Sequence, residues 1–174
     1  MKKLGAALGV LAVSTALFAA ARSEAQAQTD PKRSRLPAAV IKALDENKPG
    51  AQIDTLTVEK EAGVRFYDME FKGSDGEMDV AEDGTVLDVS TIVQLTDLPP
   101  AVAAVVQRAV AGTSIKQLTR SEVRARIEKV AGRSSLKRLS APEYVYEVEL
   151  ARGGEVEIAA DGRVIKGPKS LKSK

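Results

Sequence analysis

From Tyr144 to Ile165 the chain alternates apolar and acidic residues, breaks at Gly153-Gly154, alternates again, breaks at Asp161-Gly162 and ends in a short apolar run. Side chains on a strand point alternately to opposite faces, so runs of this kind joined by glycine turns predict a three-stranded antiparallel meander. The pattern occurs once before. Tyr67, Met69 and Phe71 alternate with Asp68, Glu70 and Lys72, and Ser74-Asp75-Gly76 supplies a turn. Met78 and Val80 then alternate with Glu77 and Asp79, Glu82-Asp83-Gly84 turns the chain again, and Thr85 to Val93 reads as the last strand.

Each meander is preceded by the same kind of element. Leu36-Pro37-Ala38-Ala39-Val40 and Leu98-Pro99-Pro100-Ala101-Val102 stand about 62 residues apart and each opens a predicted helix, proline being suited to a first turn where its missing N–H is not needed. The first helix runs to about Asn47 with Val40, Ile41 and Leu44 on one face. The second carries Val102, Val105, Val106, Ala109 and Val110 at helical spacing, with Gly112 as its stop. A strand follows each helix: Ile53 to Glu59, turned by Glu61-Ala62-Gly63, and its counterpart anchored by Ile115 and Leu118.

The two stretches differ between Thr119 and Tyr144, where the second is about 17 residues longer. Ser121 to Gly132 fits a helix capped by Ser121, with a Val123, Ile127, Val130 and Ala131 stripe. It also fits a strand in which Val123, Ala125 and Ile127 alternate with Arg124, Arg126 and Glu128, returning through Leu136 and Leu139. The hairpin is the preferred reading because it extends a sheet that already exists. The predicted fold is α+β: two tandem helix-plus-antiparallel-sheet repeats, α-β-β-β-β twice, the second with an inserted hairpin. The expected organisation is a signal peptide over 1–27, a disordered arm over 28–35, repeats over 36–97 and 98–167, and a basic tail over 168–174.

The N-terminus bears on compartment. Met1-Lys2-Lys3 is basic, Leu4 to Ala21 is an uncharged apolar run, and Ala25-Gln26-Ala27 is a small-x-small site. This is the make-up of a secretory signal peptide cleaved after Ala27, with an uncleaved anchor as the alternative. Periplasmic or secreted localisation is expected, with no stable membrane insertion after cleavage. The chain has no cysteine, so packing rather than disulfides must hold an exported domain together. Charge is divided unevenly: residues 36–97 hold 5 basic and 14 acidic side chains, and residues 98–174 hold 15 and 8. Such asymmetry concerns association, between the halves or with outside partners.

The ordered motifs resemble the PepSY-like family of secreted bacterial domains, which are also described as similar to beta-lactamase inhibitor proteins. They are a Leu-Pro-x-Ala-Val helix start, Ile-x-x-Leu-Thr, Tyr-acid-x-Glu and Gly-Glu-x-acid-x-Ala-x-Asp-Gly-x-Val. The matching positions are Leu98, Pro99, Ala101, Val102, Tyr146, Glu147, Glu149, Glu155, Glu157, Asp161 and Gly162, with counterparts from Leu36 to Gly84. The resemblance implies a non-enzymatic cell-envelope or secreted binding module with a role in inhibiting or moderating a protease or other envelope enzyme, and a protein partner. It supplies no catalytic residue.

The residues agree with a non-enzyme. With no histidine and no cysteine, the usual general base, thiol nucleophile and nitrogen or sulfur metal ligands are missing; no cofactor is expected. Aromatic residues make up 3% of the chain, too few to stack on bases, so nucleic acid is not expected as a partner. The acidic rows are the candidate site. Asp68 and Glu70 should lie beside Glu77 and Asp79 on one sheet face, and Glu147 and Glu149 beside Glu155 and Glu157. Like charges across a strand pair repel, so cations are needed. Arg124, Arg126, Lys137 and Arg138 in the longer stretch are the expected compensation for the second set. The first set lacks such a source and is the candidate partner-binding face. The alternative is a structural or calcium-binding envelope protein without a dedicated partner, with Asp75, Glu77, Asp79 and Asp83 as the oxygen ligands.

Overall fold

A computed structural model of the chain describes residues 30–73, 76–130, 133–152, 154–168 and 171. The signal-peptide reading, and Asp75 of the calcium reading, therefore lie outside the described residues. Two helices, α1 (Ala38–Asn47) and α2 (Pro100–Ala109), accompany eight strands: β1 (Ile53–Glu61), β2 (Val64–Phe71), β3 (Glu77–Ala81), β4 (Val86–Ile92), β5 (Ile115–Val130), β6 (Arg133–Leu150), β7 (Gly154–Ala159) and β8 (Val164–Lys166). The strands form one open antiparallel sheet in sequence order, β1 to β8. The fold is α+β.

Both helices pack on one face of this sheet. Val40, Ala43 and Leu44 of α1 are buried with Tyr67, Met69, Phe71, Met78 and Val80. Val102, Val105 and Val106 of α2 are buried with Tyr146, Val148, Leu150, Val156 and Ile158. The alternation of the strands produces this directly, because Tyr67, Met69 and Phe71 of β2, Met78 and Val80 of β3, Tyr146, Val148 and Leu150 of β6, and Val156 and Ile158 of β7 stand at every second position and face a helix. The acidic residues in between are thereby committed to the opposite face.

Ser121 to Val130 is strand, not helix. It returns through Leu136 and Leu139 as the preferred hairpin reading expects, with Val130 opposite Arg133, and the added residues thereby lengthen β5 and β6 to 16 and 18 residues. A register shift between Val123 and Ala125 interrupts their pairing. Beyond it the ribbon brings Ala125, Ile127 and Leu136 against Phe66 and Leu87 in a third apolar cluster. Phe66 neighbours the core residue Tyr67 along β2, so the cluster lies on the side of the sheet away from α1.

Residues 30–35, expected as a disordered arm, are held to the fold. The amide of Ile53 donates to Asp30 Oδ2 at 2.9 Å, Lys32 Nζ donates to the carbonyls of Ile53 and Asp54, and Arg33 pairs with Asp45. The polar composition suggested disorder, but these side chains satisfy the start of an edge strand. At the other end Leu171 packs against the second core, so the basic tail contributes at least one buried contact.

Candidate functional site

The pairing register fixes the acidic face. Across β2, β3 and β4, Asp68 lies opposite Asp79 and Asp79 opposite Asp88; one row along, Glu70 lies opposite Glu77. Across β6 and β7, Glu147 lies opposite Glu157 and Glu149 opposite Glu155. The two sets belong to one surface, because Ser90 pairs with Ser121 and Ile92 with Thr119 across the β4–β5 seam. The Ser90 and Ser121 hydroxyls hydrogen-bond at 2.6 Å, and Ser90 and Thr119 are buried. A polar cavity of about 70 Å³ sits over this seam, lined by Glu77, Ser90, Gln117, Thr119, Glu147 and Glu149. An adjoining hollow of about 380 Å³ adds Asp54 and Glu70 to Glu77 and Glu149. A cavity of about 450 Å³ on the helix side, which includes Arg124 and Arg138, is separate from this surface.

The two sets differ in compensation. Lys166 Nζ lies 3.0 Å from Glu155 and 3.2 Å from Glu157, and Lys116 Nζ lies 2.6 Å from Glu149. Among the described residues, Asp68, Glu70, Glu77, Asp79 and Asp88 make no ion pair with any lysine or arginine.

The expected compensating residues do something else. Arg124 pairs with Glu122 at 2.8 Å and donates to Asn47 Oδ1 on α1. Arg126 pairs with Glu143 and Lys137 with Glu128, both within the long ribbon. Arg138 donates to the Thr85 hydroxyl at 2.8 Å. These residues lie beyond the Val123–Ala125 shift or on the helix side, out of reach of Glu147–Glu157. The lysines that serve the second set flank it on β5 and β8.

Without cations nearby, Asp68, Glu77, Asp79 and Asp88 resist ionisation. Asp79 is pushed up to about 8, first by burial and then by the charges of Asp88, Asp68, Glu77 and Glu59. Asp88 is pushed up to about 6 by burial and by Asp68. Asp68 and Glu77 rise through burial and their acidic neighbours. Glu147 rises through burial and then Glu155, Glu77 and Glu157, with Lys166 opposing. Asp68 Oδ1 is buried without a hydrogen-bond partner. The third apolar cluster contributes to this burial, since Phe66 and Leu87 stand next to the Asp68–Asp79–Asp88 row.

Asp88 is the site residue that sequence reasoning missed. It sits in a strand with no acidic neighbour at alternate positions, and only a count back from the Asp83-Gly84 turn, with a bulge allowed for, sets it opposite Asp79. Among the described residues, the calcium candidates Glu77, Asp79 and Asp83 are not gathered into a metal site. Asp83 spends its Oδ1 on the amide of Thr85 at 2.9 Å, as an Asx turn does. Among the described residues no group of three or more acidic, histidine or cysteine side chains is arranged to hold a metal ion.

No family model matches the chain, and no curated protein does. Solved structures do. A BLIP-like protein from Bacteroides fragilis is 17% identical, with 80% of this chain and 89% of that chain covered and a TM-score of 0.45. A DUF2874 family protein from Bacteroides uniformis is 16% identical, with 79% and 92% covered and a TM-score of 0.48. A provisionally periplasmic protein from Bacteroides eggerthii is 15% identical, with 76% and 88% covered and a TM-score of 0.47. Likeness at this level implies no shared function. Among the described residues no helix is long and apolar enough to cross a membrane.

Proposed function

We propose that this chain is a non-enzymatic binding module of the periplasm or exterior, built from two PepSY-like repeats, that docks a cationic protein surface on its acidic face. The observation that carries this reading is the uncompensated row Asp68–Asp79–Asp88 with Glu70 and Glu77 beside it. A protein that held these acids only for solubility would leave them solvated and ionised. Here Asp68, Asp79 and Asp88 are partly buried, mutually repelling and raised in pKa, so a lysine- or arginine-bearing partner gains by relieving an existing strain. Moderation of an envelope enzyme is the role in which such docking would act. The repeat reading is supported by the matching element order, a helix and four strands twice over, and by two turns that match in detail. The amide of Gly84 donates to Ala81 O and that of Gly162 to Ala159 O, both at 2.8 Å.

The test is calorimetric titration with hexalysine and with hexaglutamate, on the wild type and on a Glu70→Lys, Glu77→Lys double variant. Selective hexalysine binding that salt weakens and the double variant loses supports the proposal. Equal behaviour of wild type and variant, in this assay and in capture from an envelope fraction, sinks it. The calcium alternative, favoured by the unpartnered Asp68 Oδ1, requires millimolar calcium to raise the melting temperature and Asp68→Asn to abolish that rise.

A further inference from the structure

The two edges of the sheet are unlike. β8 has three residues and ends where the chain turns at Gly167 and Pro168. β1 has nine residues, and none after Ile53 is buried. Its hairpin to β2 closes through Ala62 and Gly63, both with positive φ, and sets Glu61 opposite Val64. In a two-residue hairpin the flanking pair exchanges both hydrogen bonds, and such pairs alternate along the ladder. Glu61, Glu59, Thr57 and Thr55 therefore spend their backbone groups on β2, while Lys60, Val58 and Leu56 turn theirs outward. The N-terminal segment occupies only the beginning of this edge, at Ile53 and Asp54. Among the described residues, 55–61 are left as an open template of the kind that folded proteins usually blunt.

The side chains say what fits there. Val58 is 48% exposed, an apolar residue in the middle of the open stretch. A second copy of β1 laid antiparallel about a two-fold axis at Val58 sets Val58 against Val58 and Leu56 against Lys60. On the opposite face it sets Thr57 against Glu59 and Thr55 against Glu61. No like charges fall directly opposite one another. Centring the axis on Glu59 or Lys60 would oppose two glutamates or two lysines, and centring it nearer Asp54 would collide with the Lys32 contacts. The self-complementarity selects one register.

We propose that β1 is a homodimerisation edge: two copies pair antiparallel across residues 55–61, centred on Val58, and join their sheets into one sixteen-stranded sheet. The interface is isologous, as a two-fold dimer requires, and its energy comes from main-chain hydrogen bonds and the central apolar pair. It leaves the acidic rows of β2 to β7 unchanged, so it stands independently of the cationic-partner reading.

The chain's lack of cysteine makes the test direct. Val58→Cys places two sulfurs across the axis, within the separation a disulfide spans. Leu56→Cys places them four residues apart along the strand, roughly 13 Å, too far to bridge. Under mild oxidation the purified Val58→Cys protein should become a disulfide-linked dimer while Leu56→Cys remains monomeric; equal crosslinking, or none in either, overturns the proposal. As a second arm, Val58→Pro removes an outward N–H that β2 does not use, so it should fold with an unchanged circular dichroism spectrum. Sedimentation should then show dimer for the wild type and monomer for Val58→Pro; a monomeric wild type at high micromolar concentration also overturns it.

Discussion

Asp79 shows how one residue can tie stability to pH. Its carboxyl faces Asp68 on one side and Asp88 on the other, and it is held at about 8 in the folded chain, against about 3.9 when unfolded. A raised carboxyl binds its proton more tightly in the native state. Stability is therefore fully present below about pH 4 for this group and is lost as pH rises toward 8. Asp88, at about 6, adds the same sign over the lower part of that window. Melting temperature, followed by circular dichroism, should fall between pH 5 and pH 8.5. Asp79→Asn keeps the shape and removes the charge, so it should flatten the profile and stabilise the protein at pH 8 by about 1–2 kcal/mol, a value discounted for solvent screening. A wild type that is more stable at pH 8.5 than at pH 5 would contradict the assignment.

At the scale of elements, two glycines govern how each helix meets its sheet. A Cβ on Gly84 would stand 2.9 Å from Ala39 O and 3.1 Å from Ala39 Cβ; on Gly162 it would stand 2.9 Å from Ala101 O and 3.1 Å from Ala101 Cβ. Both glycines have φ near +86 to +87, a region that a side chain disfavours. Gly84→Ala and Gly162→Ala should each cost about 1–3 kcal/mol in urea melts, and the two costs should agree if the units are copies. The Asp-Gly turns were legible from the sequence as turns, because only local geometry sets them. That the same glycines abut the start of a helix, at Ala39 and Ala101, far upstream in the chain was not legible, since this depends on tertiary packing. The same division explains Arg124 and Arg138. Their charge could be read directly, but the bulge at Val123–Ala125 decides which way they point, and nothing in an alternating pattern marks where a strand will break step.

For the whole molecule the question is whether two helix-bearing halves act as one body. Leu44 and Val40 of the first core and Val106 and Val102 of the second are buried to within 1%, and the two cores contain different residues. What joins them is β4 against β5, five register pairs from Asp88–Val123 to Ile92–Thr119, with the Ser90–Ser121 bond and Thr119 buried among them. A sheet seam has no weak point at which to part, because separating the halves would strip backbone groups on both strands of their partners. The long ribbon strengthens the joint, since Ala125 and Leu136 from the second half pack on Phe66 and Leu87 from the first. Leu44→Ala, a truncation in the first core alone, should cost about 2–5 kcal/mol. Native-state hydrogen exchange should show that cost equally at Val80 in β3 and at Val148 in β6, because both amides open only with the whole sheet. Faster exchange at Val80 with Val148 unmoved would mean instead that the halves unfold separately and that the seam is only a contact between two domains.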